Sequence, residues 1–363
     1  MIRPGSKARA GSNWRIKTSC FKRGRSNYYR SLTPSTAAVR YGKNRECRSR
    51  ALRDRPAFLT MNTLTDIAPS PEALSTETLE ADARALTQSR SAGLNWNFAF
   101  WLTAFHVAAI AAFFFFTWSA FVVFAVLGIL GQNAGIGMSY HRLLTHRGYT
   151  TPKWLEYALA VCGTLALQGG PIYWVAVHRL HHQLTDRPGD PHSPRDGGWW
   201  SHTGWILHGT LRNRNALLTR YAPDLTRDRF YVWLSRYHWV PVTVVGIGLY
   251  LAGGWSWLLW GVFLRVTLGL HVTWLVNSAT HMWGSRRFDT RDDSRNNWWV
   301  ALLTGGEGWH NNHHAHPVSA RHGMAWYEID VNYLGIRLLG LIGLARRIKL
   351  QGSTPGPARI LHG

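Results

Sequence analysis

Four histidine clusters carry the side chains best suited to chemistry in this chain of 363 residues, which contains 18 His. They are HRLLTH at 141–146, HRLHH at 178–182, NSATH at 277–281 and HNNHH at 310–314. On a helix, positions i, i+3 and i+4 share one face, so HxxHH presents three imidazoles together. Two such helices that face each other can hold two metal ions. HxxxxH needs a looser turn, which fits the end of a long helix.

The number and type of these side chains indicate a redox metal site. Imidazole nitrogen binds Fe, Zn, Cu and Ni, so ligand type alone leaves the metal open. Structural zinc sites close with four ligands and zinc has no redox chemistry, whereas nine clustered histidines with few acids indicate two metals. A di-iron centre suits the activation of O₂ against an unactivated C–H bond. The predicted ligands are His141, His146, His178, His181, His182, His281, His310, His313 and His314.

The other histidines are expected to have structural roles. His106 and His271 lie inside apolar stretches, where we expect them to form hydrogen bonds between helices. The remaining ones are expected in loops, in caps or beside the ligands: His192, His202, His208, His238, His316, His322 and His362. His316 directly follows the last cluster, so it is the first choice for a residue that supports a ligand.

Long charge-free stretches predict helices that cross a membrane. No Asp, Glu, Lys or Arg occurs from Ser91 to His141, and a span needs about 20 apolar residues. Two more such stretches, 237–264 and 266–285, are separated by Arg265. We predict four spans, near 97–117, 121–140, 239–257 and 258–277, with turns at 118–120 and at Gly253-Gly254.

The apolar segment 154–168 is predicted to lie on the membrane surface. Gly169-Gly170-Pro171 ends it after fifteen residues, which is short for a span. With this placement all four histidine clusters face the same side of the bilayer, whereas a span here would separate the first cluster from the second. Lys and Arg follow the second and fourth spans and are absent from the predicted external turns, so the shared side is expected to be cytoplasmic.

The net charge of +22 is concentrated at the N-terminus. Residues 1–60 contain sixteen Lys/Arg and two acids, which leaves only +8 for the rest, so we expect no nucleic-acid partner.

For residues 1–60 we predict no fold. The segment is a transit peptide, a basic tail, or upstream sequence before a start at Met61, and the last is the interpretation we favour. We expect a cytosolic segment at 61–94, the main domain at 95–349 and a tail at 350–363. The three cysteines follow no metal or disulfide spacing.

Longer motifs around the clusters resemble the stearoyl-type membrane desaturase family, especially its bacterial and plant acyl-lipid or acyl-CoA delta-9 branch. They include GGPIYWV at 169–175, GDPHSPRDGGWWSHTGW at 189–205, TWLVNSATH at 273–281, GEGWHNNHH at 306–314 and ARHGMAWYEID at 320–330. The similarity extends from about Asn95 to Lys349.

This resemblance implies an all-α integral membrane fold, with four transmembrane helices capped by a cytosolic helical domain that carries a histidine-rich di-iron site. It implies that the nine clustered histidines bind two Fe²⁺ ions and that Asn277 reaches one of them through water. It also implies that Gln168, Trp174, Thr273 and Trp274 shape a bend in a narrow acyl tunnel. Animal relatives have NDxYEW where this chain has GGPIYW, so the group that carries the acyl chain stays open.

The predicted reaction is O₂-dependent removal of two vicinal hydrogens from a saturated acyl chain, giving a cis double bond at the delta-9 position. The acyl carrier is CoA, acyl carrier protein or a glycerolipid. No flavin or nicotinamide motif is visible, so we expect a separate electron donor, either ferredoxin or a small cytochrome b with its reductase. The expected location is the bacterial inner membrane, with the active site and both termini cytoplasmic. The alternatives are a di-iron hydroxylase or ketolase acting on alkanes, carotenoids or sterols, and a histidine-rich metal transporter.

Overall fold

A computed structural model describes residues 75–89, 93–209 and 215–351. The expectations for residues 1–60, and for nearly all of the tail at 350–363, fall outside these ranges. The regular elements of the described residues are all helical, and three isolated β-bridges join loops. The all-α prediction is therefore confirmed for this part of the chain.

The first apolar stretch forms a helical hairpin. Helix α2 (Trp96–Ala112) starts at Asn95, whose Oδ1 accepts a hydrogen bond from Phe98 N at 3.1 Å. Helix α3 (Trp118–Gly128) starts at Thr117, whose Oγ1 accepts from Ala120 N at 3.1 Å. The turn thus lies at 116–117, two residues before its predicted position, because the Thr117 hydroxyl caps the second helix.

Beyond α3 the helix continues as a π-helix over Ile129–Thr145, five residues past the predicted end of the second span. A π-helix has i→i+5 hydrogen bonds and is common at functional sites. His146 N accordingly donates to His141 O at 3.2 Å. Residues five apart therefore lie on one side of the helix, which explains the HxxxxH spacing more directly than a loose turn does.

The last apolar stretch contains helix α10 (Val240–Leu258), a π-helical segment Leu259–Leu264, helix α11 (Arg265–Asn277) and the short helix α12 (Ala279–Met282). Gly254 interrupts α10 with φ 60° and ψ −152°, a conformation that glycine adopts without a Cβ clash. The chain reverses there. The segments on either side of Gly254 pack against each other, as a Cβ on Gly246 would lie 3.4 Å from the side chains of Leu258 and Val262. The turn predicted at Gly253-Gly254 is confirmed.

Three helices are long and apolar enough to cross a membrane: Trp96–Phe115, Trp118–Thr145 and Val240–Met282. The third of them contains the reversal at Gly254. Inside these helices His106 and His271 form the predicted interhelical contact, with Nε2 to Nε2 at 2.9 Å. His271 Nδ1 also lies 3.0 Å from His202 Nε2, and His202 Nδ1 lies 3.1 Å from Ser278 Oγ.

The remaining α-helices of the described residues lie before, between and after these apolar stretches in the chain. They are α1 (Thr76–Ser89), α4 (Lys153–Thr164), α5 (Pro171–Leu184), α6 (Trp205–Leu207), α7 (Asn215–Tyr221), α8 (Pro223–Thr226), α9 (Arg229–Arg236), α13 (Trp298–Thr304), α14 (His310–Ala315) and α15 (Val331–Leu341). The largest apolar core packs α5, α7 and α9 against the π-helix Ile129–Thr145, so this core fixes the two helices that carry the first two histidine clusters.

Close backbone packing joins α4 to the π-helix at Gly135 and Gly163. A Cβ on Gly135 would lie only 2.5 Å from Gly163 Cα, closer than real Cβ atoms approach other heavy atoms. We expect Gly135→Ala to separate these helices and to lower the melting temperature of the detergent-purified protein by several degrees, since overpacking costs about 1–3 kcal/mol. Fluorescence-detected size exclusion after heating measures this.

Gly128→Ala is the matched control, because a Cβ there meets nothing within 4 Å. Its melting temperature should equal that of the parent. Equal melting of the Gly135 variant and the parent would contradict the packing described here.

Candidate metal centre

The ends of four helices bring the nine predicted ligands together. The π-helix delivers His141 and His146, α5 delivers three histidines, α12 delivers His281, and α14 delivers three more. Within each group, ring nitrogens lie within 4.8 Å of one another. The first group is His141, His146, His178, His182 and His313; the second is His181, His281, His310 and His314.

The Nε2 atoms of the first group converge on one point. His313 Nε2 lies 3.1 Å from His141 Nε2 and 2.9 Å from His182 Nε2. His178 Nε2 lies 3.1 Å from both His146 Nε2 and His182 Nε2. Five ring nitrogens from three helices therefore surround a single buried volume.

The second group lies beside the first, because adjacent residues divide between the two. On α5, His181 belongs to the second group while His182 belongs to the first, and on α14 His314 and His313 divide in the same way. The rings of His182 and His314 stack at 4.6 Å between centroids. The two groups therefore form one centre with two compartments.

Four carboxylates fix the orientation of four imidazoles through Nδ1. The distances are 2.6 Å for His141 to Glu307, 3.0 Å for His181 to Asp190, 2.9 Å for His281 to Asp186 and 3.0 Å for His314 to Asp292. Carboxylates hold metal-binding histidines in this way, because Nδ1–H then donates outward and the Nε2 lone pair points inward.

This arrangement fits a bound cation. With Nδ1–H donated to Asp190 and to Asp186, the Nε2 atoms of His181 and His281 can only accept; both are buried and have no hydrogen-bond partner among the described residues. Buried polar atoms are otherwise almost always paired. Inward-facing lone pairs in two adjacent groups match a donor set for two metal ions with an affinity for imidazole.

The protonation states agree with metal binding. Burial lowers the pKa of His178, His182 and His310 well below 6.5, and the neighbouring imidazoles lower it further. Burial also lowers the pKa of His314 to about 4, although Asp292 opposes the shift. Because only neutral imidazole binds a metal, these rings are ready to bind at neutral pH.

The orienting carboxylates are ionised at neutral pH. Burial would raise the pKa of Asp190, but the charge and hydrogen bond of His181 hold it at about 2. Burial is likewise outweighed at Asp186 and Asp292, where His281 and His314 lower the pKa of each carboxyl below its usual range. Charged carboxylates therefore hold the buried imidazoles; burial alone would lower the pKa of His181, but Asp190 outweighs burial and raises it.

Three of the four predicted tunnel residues form one hydrogen-bond network. Gln168 Nε2 donates to Thr273 Oγ1 at 2.8 Å, and Trp174 Nε1 donates to Gln168 Oε1 at 3.2 Å. Gln132 in the π-helix also donates to Thr273 Oγ1, at 2.7 Å, which sequence reasoning did not anticipate. The Trp174 ring lies 5.1 Å from the His178 ring, so this network borders the centre.

The fourth tunnel residue, Trp274, is buried, with 2% of its surface exposed. Its ring contacts those of His271 at 5.1 Å and His202 at 5.7 Å. Asn277 ends α11, four residues before His281, and its predicted contact through water stays a prediction.

Sequence reasoning chose the wrong supporting histidine. His316 packs against Phe288 with 4.9 Å between ring centroids. His322 takes the supporting position instead, with Nδ1 3.1 Å from Glu307 Oε2 and its ring 4.5 Å from that of His313. His192 lies beside His181 at 4.4 Å between ring centroids. The carboxylates that orient the imidazoles were also missed in the sequence. A signal for three of them was available, because acids lie close to the histidine clusters in TDRPGD at 185–190 and in GEGWH at 306–310.

The model of the fatty acid desaturase family matches residues 116–333, which include all nine histidines. The chain belongs to the fatty acid desaturase family. The desaturase is 45% identical over 259 residues to the sn-1 stearoyl-lipid 9-desaturase of Anabaena variabilis. The matched region covers 71% of this chain and 94% of the relative. It is 46% identical over 279 residues to the sn-2 palmitoyl-lipid 9-desaturase of Nostoc sp. (strain 36). That matched region covers 76% of this chain and 98% of the relative.

A plant relative is nearly as similar to this desaturase. The Delta-9 acyl-lipid desaturase 1 of Arabidopsis thaliana is 45% identical over 250 residues, which are 69% of this chain and 81% of the relative. The resemblance noted from the sequence motifs is thereby confirmed, and the protein is an oxidoreductase, a desaturase. The transporter and hydroxylase alternatives are not supported.

Proposed function

We propose that this desaturase introduces a cis double bond at the delta-9 position of a saturated acyl chain. The observation that carries the proposal is the pair of adjacent imidazole groups bordered by the Gln168–Thr273–Trp174 network. Its relatives are named stearoyl-lipid and palmitoyl-lipid 9-desaturases, which supports this regiochemistry and a lipid-linked substrate.

Two Fe²⁺ ions are the proposed cofactors, one in each imidazole group, with Asn277 acting on one of them through water. Iron, when bound, supplies the redox chemistry that lets O₂ serve as the oxidant. The protein supplies orientation: the carboxylates hold the imidazoles, and the apolar residues around them exclude water. Two electrons come from outside, from ferredoxin or from a small cytochrome b with its reductase.

The network bordering the centre is proposed to set the position of the double bond. Gln132 and Gln168 hold the Thr273 hydroxyl from two sides, and Trp274 follows it directly in the chain. A substrate chain bent around these side chains presents one pair of carbon atoms to the centre. Holding reacting groups in this way is worth several kcal/mol of the barrier.

The membrane arrangement follows from the apolar helices. We propose four spans, counting the stretch Val240–Met282 as two because the chain reverses at Gly254. The histidine-bearing helix ends and the polar helices around them then form a cap on the cytoplasmic side, in an inner-membrane protein with both termini cytoplasmic.

Expression in a host that cannot make unsaturated chains tests the function. Gas chromatography with mass spectrometry should detect cis-delta-9 chains, and separation of lipid classes before hydrolysis should show which carrier holds them. Hydroxylated chains without a double bond, or no new product from an iron-loaded protein, would contradict the proposal.

Removing one orienting carboxylate tests the role of the second imidazole group. Asp292→Asn removes the charge that fixes His314 Nδ1, and losing such a partner costs roughly 10–100-fold in metal affinity. We expect iron to leave this variant at a correspondingly lower chelator concentration, as measured by mass spectrometry of the metal. Asp289→Asn, an exposed acid on the same segment, is the control and should keep its iron like the parent. Equal retention in both variants would contradict the assignment.

A further inference from the structure

A cavity of about 790 Å³ lies outside the imidazole groups. Its wall is unusually aromatic, with Trp283, Trp298, Trp299, Trp309 and Tyr327. Two of these residues adjoin the centre in the chain, since Trp283 follows His281 by two positions and Trp309 directly precedes His310. A molecule in this cavity therefore lies beside the segments that carry the proposed metal ligands.

The rim of the cavity is apolar and exposed. Trp298 is 69% exposed, Leu302 67% and Ile329 59%. Apolar patches of this kind mark interaction sites, and Trp rings favour the boundary between membrane and water. The cavity wall includes Trp283, which directly follows the apolar helix Val240–Met282, so the cavity lies at the proposed membrane boundary.

The floor of the cavity provides positive charge. Arg287 Nη2 pairs with Glu328 Oε1 at 2.6 Å, which leaves no net charge on that pair. Arg286 Nη2 donates to Thr290 O at 2.7 Å, a neutral acceptor. In the part of the chain that the structure describes, Arg286 lines the cavity and has no carboxylate partner. A cation in the cavity wall without a carboxylate partner favours an anionic oxygen as ligand.

From these observations we propose that the cavity binds the phosphate-bearing headgroup of a phosphoglycerolipid, with Arg286 donating to the phosphate and the tryptophan rim surrounding the glycerol region. This inference rests on the proposed desaturation and names the acyl carrier as a membrane phosphoglycerolipid. The headgroup site then sits at the membrane boundary, from which an acyl chain extends toward the centre.

Lipid retention tests the site without relying on activity. Iron-loaded protein in detergent is incubated with phosphatidylglycerol, separated by size exclusion, and the retained lipid is quantified by mass spectrometry. Arg286→Gln should retain about tenfold less lipid or worse, the value of a charge-assisted hydrogen bond. Arg291→Gln, which alters an exposed arginine of the same segment, should retain as much as the parent. Trp298→Ala, at an exposed rim position, should also reduce lipid retention. It tests the site independently if Arg286→Gln does not fold.

Competition identifies the ligand. Unlabelled phosphatidylglycerol should displace the bound lipid, while inorganic phosphate and free coenzyme A should not. Displacement by coenzyme A alone, unchanged retention in both Arg286→Gln and Trp298→Ala, or an effect of Arg286→Gln confined to binding of the electron donor would each overturn the proposal. A parent protein that binds the lipid yet makes no double bond would overturn the proposed function and leave the headgroup site standing.

Discussion

Replacing His313 with alanine is expected to abolish desaturation and to strip iron from the protein. The His313 Nε2 atom lies 3.1 Å from that of His141 and 2.9 Å from that of His182, so its loss opens the middle of the first imidazole group. Product analysis by gas chromatography and metal analysis of the purified variant measure the two effects. Both should fall to background, because an incomplete donor set neither holds the metal nor supports its reaction with O₂.

His238→Ala is the matched control for this experiment. His238 makes a local contact, from Nδ1 to Ser235 O at 3.0 Å, and does not belong to either imidazole group. Its activity and iron content should equal those of the parent. The shared-centre assignment fails if two or more of the nine clustered histidines can be replaced with activity retained.

Trp274→Ala is expected to spoil the placement of the double bond. Trp274 is buried against His271 and His202, and replacing a packed Trp with Ala costs about 3–5 kcal/mol. The substrate itself can fill part of the resulting cavity, so the acyl chain should lie straighter and slide along the proposed tunnel. We expect a sharply lower rate and mixed double-bond positions or some hydroxylated product, resolved by mass spectrometry of derivatised chains.

Thr273→Ser provides the comparison for that variant. Serine keeps the hydroxyl that accepts from Gln132 and Gln168, so the network should survive and the double bond should stay in place. A Trp274→Ala variant that makes one unshifted cis product at the parent rate would disprove the bend assignment, and the histidine centre would be unaffected by that result.

The sequence predicted the parts of the centre whose spacing is local. HxxHH determines a helix face without further information, and the structure brings the three histidines on α5 close to the three on α14. The charge-free stretches and the glycine pair at 253–254 likewise predicted the apolar helices and the reversal. These patterns depend on neighbours within a few residues.

Other features depend on distant residues or on backbone geometry, so the sequence could not provide them. Glu307 pairs with His141 across 166 positions, and only the fold brings them together. The π-helical winding that aligns His141 with His146 has no residue pattern of its own. Gln132 joins the hydrogen-bond network by donating to Thr273 Oγ1, a contact across 141 positions. The choice of His316 over His322 failed because closeness in the chain was taken for closeness in space.

The four carboxylates that hold imidazoles also determine the charge balance of the centre. Imidazoles that bind a metal are neutral, and Arg142 beside Glu307 is balanced by Asp330. Two ferrous ions in the proposed positions would bring four positive charges against the four negative charges of the carboxylates, which would make the buried centre electroneutral in its reduced form. Oxidation of both ions would leave two surplus charges in a region of low dielectric, where they are costly. With iron in the proposed positions, this charge balance would favour the ferrous state.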